Sequence, residues 1–317
     1  MLTGLSFTAI TVLMIAGVLL DLLLGEAKRW HPLVGFGRLA NTIEGSLNRG
    51  RFRTLRGVVA WCIAVVPMTL LACAGIASDT GAAVWLHVGL LYFSLGLRSL
   101  HDHTAPIQRA LLSNDLPAAR VATARIVSRD TWQADASALA KAGIESLLEN
   151  GNDAVFGTLF WFMIAGGPGA LLFRLANTLD AMWGYRTPRF QAFGWAAARI
   201  DDALNWIPAR LTALSYALLG DTRSAWQCWM LQAPGWPSPN AGPVMAAGAG
   251  ALGVALGGAA IYDGQIEHRP ALGGDQAVAA EDIGRAWKLV AGTTALWLGV
   301  AVGCAIAIWL FQGNAHA

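Results

Sequence analysis

The chain is short of charge. Asp, Glu, Lys and Arg make up 13% of its 317 residues, against roughly a quarter in soluble globular domains. With 55% hydrophobic residues and a mean hydropathy of +0.48, it does not read as an ordinary soluble protein. Cysteine is scarce as well. Cys62, Cys73, Cys228 and Cys304 are scattered and form no CxxC, so neither a zinc site nor a disulfide framework is supported. No GxxxxGK[ST] occurs, so any use of ATP proceeds without a P-loop. The net charge is +2 and no basic run is interleaved with aromatics, which discounts nucleic acid as a partner. The apolar stretch 7–24 lacks a basic n-region, so it reads as a retained membrane helix rather than a cleaved signal. Strand signals are nearly absent.

What the chain has is long apolar runs. A bilayer core takes roughly 20 apolar residues to cross, and 7–24, 57–77, 82–100 and 287–311 have that length. Weaker candidates are 203–219 and the Ala/Gly-rich 243–260. Gly253-xxx-Gly257 and Gly299-xxx-Gly303 have the small-residue spacing of packed membrane helices. The run 154–175 differs, because Gly166-Gly167-Pro168-Gly169 interrupts it. It predicts a broken or re-entrant hairpin near 154–182, with an ordinary kinked span as the alternative. Between 101 and 153 the composition is that of soluble helix. The expectation is one all-α, polytopic membrane domain over 1–317 with a helical insertion at 101–153.

The segment 26–56 carries Lys28, Arg29, Arg38, Arg49, Arg51, Arg53 and Arg56 against Glu26 and Glu44. Positive loops stay in the cytoplasm, which places 101–153 there too. A re-entrant 154–175 would bring 176–202 to the same side. A spanning one would divide the polar motifs.

Those motifs concentrate between Ser128 and Arg210, beside bilayer-length apolar runs where ionisable groups are expensive and mark function. Glu145, Glu149 and Asp153 recur at i, i+4 and i+8, so one helix face would carry all three. Stacked like charges call for a cation, and oxygen-only ligation suits Mg²⁺ bridging to a phosphate. The alternative is an acidic face paired with Arg125 and Arg129. Asp201-Asp202 follows Arg199 and precedes Asn205 and Arg210. Neighbours on a helix point about 100° apart, so one acid would serve a ligand and the other cap a helix. Asn177 and Asp180 suit the same site. A second cluster joins Asp21 to His31 and Arg38, the last two facing an anionic ligand or, for His31, a satisfied interfacial position. His101-Asp102-His103 reads as a surface group rather than a metal site, because i and i+2 diverge on a helix. Gly248-Ala-Gly250-Ala-Leu-Gly253 matches GxGxxG without a preceding strand and is discounted.

Taken together the motifs resemble the CobD/CbiB family of cobalamin-biosynthesis membrane proteins, the adenosylcobinamide-phosphate synthases. The matching text is D-x-x-x-G…H-P-L-V-G-F-G-R (21–38), S-R-D-T (128–131) and I-E-S-L-L-E-N-G-N-D (144–153). It continues through G-G-P-G-A-L-L-F-R-L-A-N-T-L-D-A-M-W-G-Y (166–185), R-I-D-D-A-L-N-W-I-P-A-R-L-T (199–212), S-P-N-A-G (238–242) and G-G-A-A-I-Y (257–262). The departure is Gly25-Glu26-Ala27, where the family usually reads Gly-Asp-Pro.

The resemblance implies a ligase forming a C–N bond: a carboxylate of adenosylcobyric acid joined as an amide to aminopropanol or its phosphate. ATP and Mg²⁺ are the implied cofactors, and the corrinoid is substrate. Membrane lipid and soluble cobalamin-pathway enzymes are the implied partners, at a bacterial inner membrane with the polar motifs mainly cytoplasmic. On this reading Glu145, Glu149 and Asp153 serve Mg²⁺ and phosphate, and Asp201 or Asp202 orients or deprotonates the amine. Arg129, Arg199 and Arg210 hold phosphate or propionate groups, and Asp130 and Asp180 are further substrate-binding candidates. Asn150, Asn177, Asn205 and Asn240 recognise corrin amides. Trp161, Trp183 and Trp206 offer apolar surface or interfacial anchors. The rival classes are a transporter of a polar or corrinoid solute, in which broken helices are also found, and a regulatory membrane protein distantly related to the family.

Overall fold

A computed structural model of the chain describes residues 4–27, 31–77, 81–262 and 264–314. Lys28 and Arg29 of the basic loop lie outside them. Among the described residues five segments are long and apolar enough to cross a membrane: Phe7–Leu24, Arg53–Ala77, Ala82–Leu112, Ala136–Trp183 and Ala280–Gln312. The predominantly helical membrane architecture expected from the sequence is therefore present. Contacts group the chain into two compact units where the sequence was read as one domain. Unit 1 comprises Met1–Gly96, Gly157–Asn205 and Leu298–Ala317, and unit 2 comprises Leu97–Phe156 and Trp206–Trp297.

Unit 1 is built on α1 (Phe7–Leu24), α2 (Pro32–Leu47), α3 (Arg53–Ala77), α4 (Ala82–Ser94) and α8 (Gly157–Trp183). Its core joins Phe36 and Ala40 of α2 to Trp61, Ala64 and Val65 of α3, and to Leu175, Leu179 and Trp183 of α8. A Cβ at Gly57 would run into the Phe193 carbonyl, so this glycine lets α3 touch the backbone of the loop between Trp183 and Trp195. The other face of α3 exposes Leu55, Val59, Ile63, Val66 and Leu70 at helical spacing, a stripe suited to lipid.

The helix α8 is not straight. Ala165 (φ −132°, ψ 15°) and Gly166 (φ 62°, ψ −150°) are non-helical, the second in a region open mainly to glycine. A side chain at Gly157 would meet the Phe173 ring, and one at Gly169 would meet the Trp161 carbonyl. In a straight helix these pairs would stand about 24 Å and about 12 Å apart at 1.5 Å per residue. The chain therefore folds back at Ala165–Gly166, and 157–183 is the helical hairpin that the Gly-Gly-Pro-Gly run predicts.

Unit 2 contains α5 (Leu97–Leu112), α6 (Leu116–Thr123), α7 (Ala136–Gly151), a π-helical turn (Asn152–Phe156), α10 (Thr222–Gln232) and α11 (Ala241–Leu252). Asp115, Asp135 and Asp221 accept backbone N–H bonds as N-caps of α6, α7 and α10. Two long helices, α9 (Trp195–Leu219) and α12 (Ala280–Asn314), contribute to both units.

The expectation of a membrane helix over 243–260 is corrected here. Helix α11 stops at Leu252, with Gly253 in the left-handed conformation (φ 71°), and all twelve of its residues are buried. The chain then forms an antiparallel hairpin, β1 (Ala255–Tyr262) with β2 (Gln265–Gly273). Pro270, which has no N–H to give, falls where the register shifts between Gly257 and Gly258. The Gly253/Gly257 spacing is thus a helix cap and a strand bulge rather than a helix-packing motif. Side chains at Gly299 and Gly303 would meet nothing within 4 Å, so that pair packs against no described residue. The segment 203–219 lies within α9, which is not among the five candidate spans, although Ile207, Leu211, Leu214 and Leu218 form an exposed apolar stripe.

Candidate functional site

Each unit carries a buried polar network. In unit 2 it centres on Glu145, which is 2% exposed in the middle of α7. Its Oε1 accepts the Gly257 N–H at 2.8 Å and Arg269 Nη2 at 3.2 Å. Its Oε2 accepts Arg269 Nη1 at 3.1 Å and Arg129 Nη2. The strand bulge aims the Gly257 N–H, strand β2 delivers Arg269, and the S-R-D-T loop delivers Arg129. Arg269 also lies over Trp236, 5.6 Å from the ring centroid. A carboxylate so buried needs compensation, and here three donor groups supply it.

This arrangement corrects the three-carboxylate metal set. Glu145 is committed to two guanidinium groups, and among the described residues no group of three or more His, Cys, Asp or Glu is arranged to hold a metal ion. The alternative of pairing with Arg129 is what Glu145 does. Glu149 is exposed one turn further on, and Asp153 lies at the π-turn, where its Oδ1 accepts Asn152 Nδ2 at 2.9 Å. Single π-turns inside α-helices recur at functional sites. Thr212 Oγ1 donates to Asn152 Oδ1 at 3.0 Å, and the Tyr216 hydroxyl to the Leu148 carbonyl at 3.2 Å. Beside this network a cavity of about 450 Å³ is lined by Arg129, Asp130, Thr131, Gln133, Asp135 and Lys141, and by Ile261 and Ile266 of the hairpin. Asp130 ties that hairpin down by accepting the Gly264 N–H at 2.8 Å.

In unit 1 the network centres on Asp201, which is buried. Asn205 Nδ2 donates to its Oδ2 at 3.0 Å, and Asn177 Nδ2 to its Oδ1 at 3.4 Å. The sequence brought these three together correctly. Asp202 is half-buried and paired with Arg199 at 3.3 Å. Burial raises the Asp202 carboxyl above the usual range, while Arg199 and Arg186 oppose the shift. Neither acid caps a helix, contrary to expectation, because α9 begins at Trp195 and both lie inside it.

The remaining sequence candidates divide between the units. Asp21 is buried near the end of α1, Asp180 is half-buried on α8, and Arg38 is exposed on α2. His31 is the N-cap of α2, its Nδ1 accepting the Leu33 N–H at 3.2 Å. Burial holds its pKa below the ordinary value, with Glu26 opposing and Arg174 adding to the shift. The imidazole thus serves as a helix cap. In unit 2, Arg210 Nη1 donates to Asn240 Oδ1 at 2.7 Å, and Asn150 turns back to the Ser146 carbonyl at 3.0 Å. Trp183 is 1% exposed in the core, so it cannot present a face to a macrocycle. Trp206 is exposed beneath the Arg210 guanidinium at 4.6 Å. The His101–Asp102–His103 group is a surface cluster in which Arg98 pairs with Asp102 at 2.9 Å.

Two participants escaped sequence reasoning. Arg269 sits in an unrecognised strand. His87 is 1% exposed on α4, and its Nδ1 accepts the Gly167 N–H at 2.9 Å, at the fold-back of α8. For His87 the only sequence signal was an ionisable side chain within an apolar run.

Interior networks of this kind in a chain of membrane-length helices define a polytopic membrane protein with built polar sites. The family model described as CobD/Cbib protein matches residues 14–290, and the chain belongs to that family. It is 58% identical over 287 residues to the cobalamin biosynthesis protein CobD of Stutzerimonas stutzeri, covering 90% of this chain and 94% of that one. The protein of the same name from Chromobacterium violaceum is 53% identical over 308 residues, covering 95% and 97%. That from Rhodobacter capsulatus is 40% identical over 278 residues, covering 83% and 86%. No solved structure matches the chain.

Proposed function

We propose that this protein acts in cobalamin biosynthesis as an adenosylcobinamide-phosphate synthase. It would join a carboxylate of adenosylcobyric acid to aminopropanol or aminopropanol phosphate as an amide. The observation that carries this reading is the full-length similarity to proteins named cobalamin biosynthesis protein CobD. The unit 2 cavity supports it, because Arg129 and Lys141 suit a phosphate while Asp130 and Asp135 suit an ammonium group.

Amide formation from a carboxylate requires activation, which ATP with Mg²⁺ would supply. The three-carboxylate set does not fit a resident metal, because two guanidinium groups hold Glu145; Glu149 and Asp153 remain candidate catalytic acids without a metal role. Glu145 is a positioning residue that fixes Arg129 and Arg269. Within unit 1, Asp201 is held by two amides as a fixed acceptor and is the alternative to the unit 2 acids for orienting the attacking amine, since a fixed acceptor lowers the entropy cost of alignment. On this reading the polar motifs would face the cytoplasm at a bacterial inner membrane, where soluble pathway enzymes could reach them.

The test uses the purified full chain in detergent and in lipid, given adenosylcobyric acid, aminopropanol or its phosphate, ATP and Mg²⁺. Mass spectrometry should find the amide. The folded-back α8 favours a second reading, a corrinoid transporter. Absence of amide across lipids, with uptake into proteoliposomes, would establish that reading instead.

A further inference from the structure

Arginines gather where α2 ends and α3 begins, and none of them belongs to either network. A cavity of about 440 Å³ there is lined by Glu44, Gly45, Asn48, Arg49, Gly50, Arg53 and Arg189. Glu44 is its only acid and is committed, accepting Arg189 Nε at 3.1 Å and Nη2 at 2.6 Å. Arg53 is held in place by Asn48 Oδ1 at 2.9 Å and by the carbonyls of Pro188 and Arg189. Arg56 donates to the Arg49 carbonyl at 2.6 Å. Among the described residues Arg49, Arg51, Arg53 and Arg56 make no ion pair with a carboxylate. The lining thus has three cations to one anion, and the flanking Arg51 and Arg56 extend the excess.

A second observation concerns Phe52, which has φ 61° and is 76% exposed. Left-handed backbone is a true outlier for a bulky residue, and such strain persists where function uses it. Leu55 beside it is also exposed, and both stand at the start of the membrane-length segment Arg53–Ala77. Aromatic rings at the headgroup level are a recurrent anchor.

We propose that this cavity binds the phosphate of an anionic phospholipid headgroup, with Phe52 and Leu55 seated among its acyl chains. Free phosphate would satisfy the arginines and leave the two apolar side chains in water. A zwitterionic lipid would bring its own cation into an already cationic site.

The full chain in neutral detergent is titrated with dioleoylphosphatidylglycerol, dioleoylphosphatidylcholine or inorganic phosphate. Retained lipid is read by native mass spectrometry and stability by thermal unfolding. Phosphatidylglycerol should be retained selectively and should raise the unfolding midpoint, and the other two should not. Arg49 and Arg51 are exposed, so Arg49→Gln/Arg51→Gln should fold and retain phosphatidylglycerol roughly thirtyfold more weakly. Phe52→Gly keeps every charge and relieves the backbone, so it should unfold no earlier without lipid yet lose lipid retention severalfold. Equal retention of both lipids, equal stabilisation by phosphate, or unchanged retention in either variant would overturn the proposal.

Discussion

The Nδ1 atom of His87 accepts the Gly167 backbone N–H at 2.9 Å, where the chain reverses inside an apolar layer. Breaking a helix frees donors that hydrocarbon cannot satisfy, so such backbone needs partners within the protein. Replacing the imidazole should leave that N–H buried and unpaired, at a cost of about 1–3 kcal/mol. His87→Ala should lower the midpoint of thermal unfolding in detergent. An unchanged midpoint would mean that the fold-back needs no such support.

Glu145 and Glu149 stand one turn apart with opposite assignments. Glu145→Gln strands two guanidinium groups that are 13% and 15% exposed, and should cost about 3–5 kcal/mol. Glu149→Gln removes a like charge one turn from both Glu145 and Asp153 and should not lower stability. Its effect should fall on amide formation. Paired denaturation curves and product yields for the two variants separate scaffold from site.

Asp201→Asn keeps the shape but offers one acceptor oxygen to two amide donors. Stability should fall by about 1–3 kcal/mol and amide formation by on the order of a hundredfold. Asp202→Asn loses a partly exposed pair with Arg199, worth at most about 1 kcal/mol. If Asp202→Asn were the more damaging change, the two acids would have to exchange roles.

Glu44 and Arg189 give a pH dependence. The Arg189 hydrogen bond holds the Glu44 carboxyl below the usual glutamate range; partial burial opposes it, and Asn48 and Arg53 reinforce it. A carboxyl depressed in the folded state stabilises above its unfolded pKa of about 4.3. That contribution is lost as pH falls through the folded value. Glu44→Gln should flatten the stability profile in that acid window and leave its slope near neutrality unchanged. Equal acid slopes for the two proteins would refute the assignment.

The sequence disclosed what depends on neighbours along the chain. Gly166-Gly167-Pro168-Gly169 marked the fold-back because local backbone chemistry decides it, and the crowding of Asn177, Asp201 and Asn205 marked one network. Glu145 was recognised and its role misassigned, because Arg269 lies 124 residues away on a strand that nothing local announced. The run 243–260 is too rich in Ala and Gly to distinguish helix from strand by periodicity. The turn pair Asp263-Gly264 was the signal that stood in the text, although Asp263 lies outside the described residues.

The division into units also bears on synthesis. Unit 1 is interrupted twice by stretches of unit 2, and it recruits residues only from Leu298 onward to complete itself. A ribosome delivering this chain finishes every residue of unit 2 before the last stretch of unit 1 has emerged. Whatever packing the stretch from Leu298 onward gives to unit 1 is therefore added after unit 2 is already out of the ribosome.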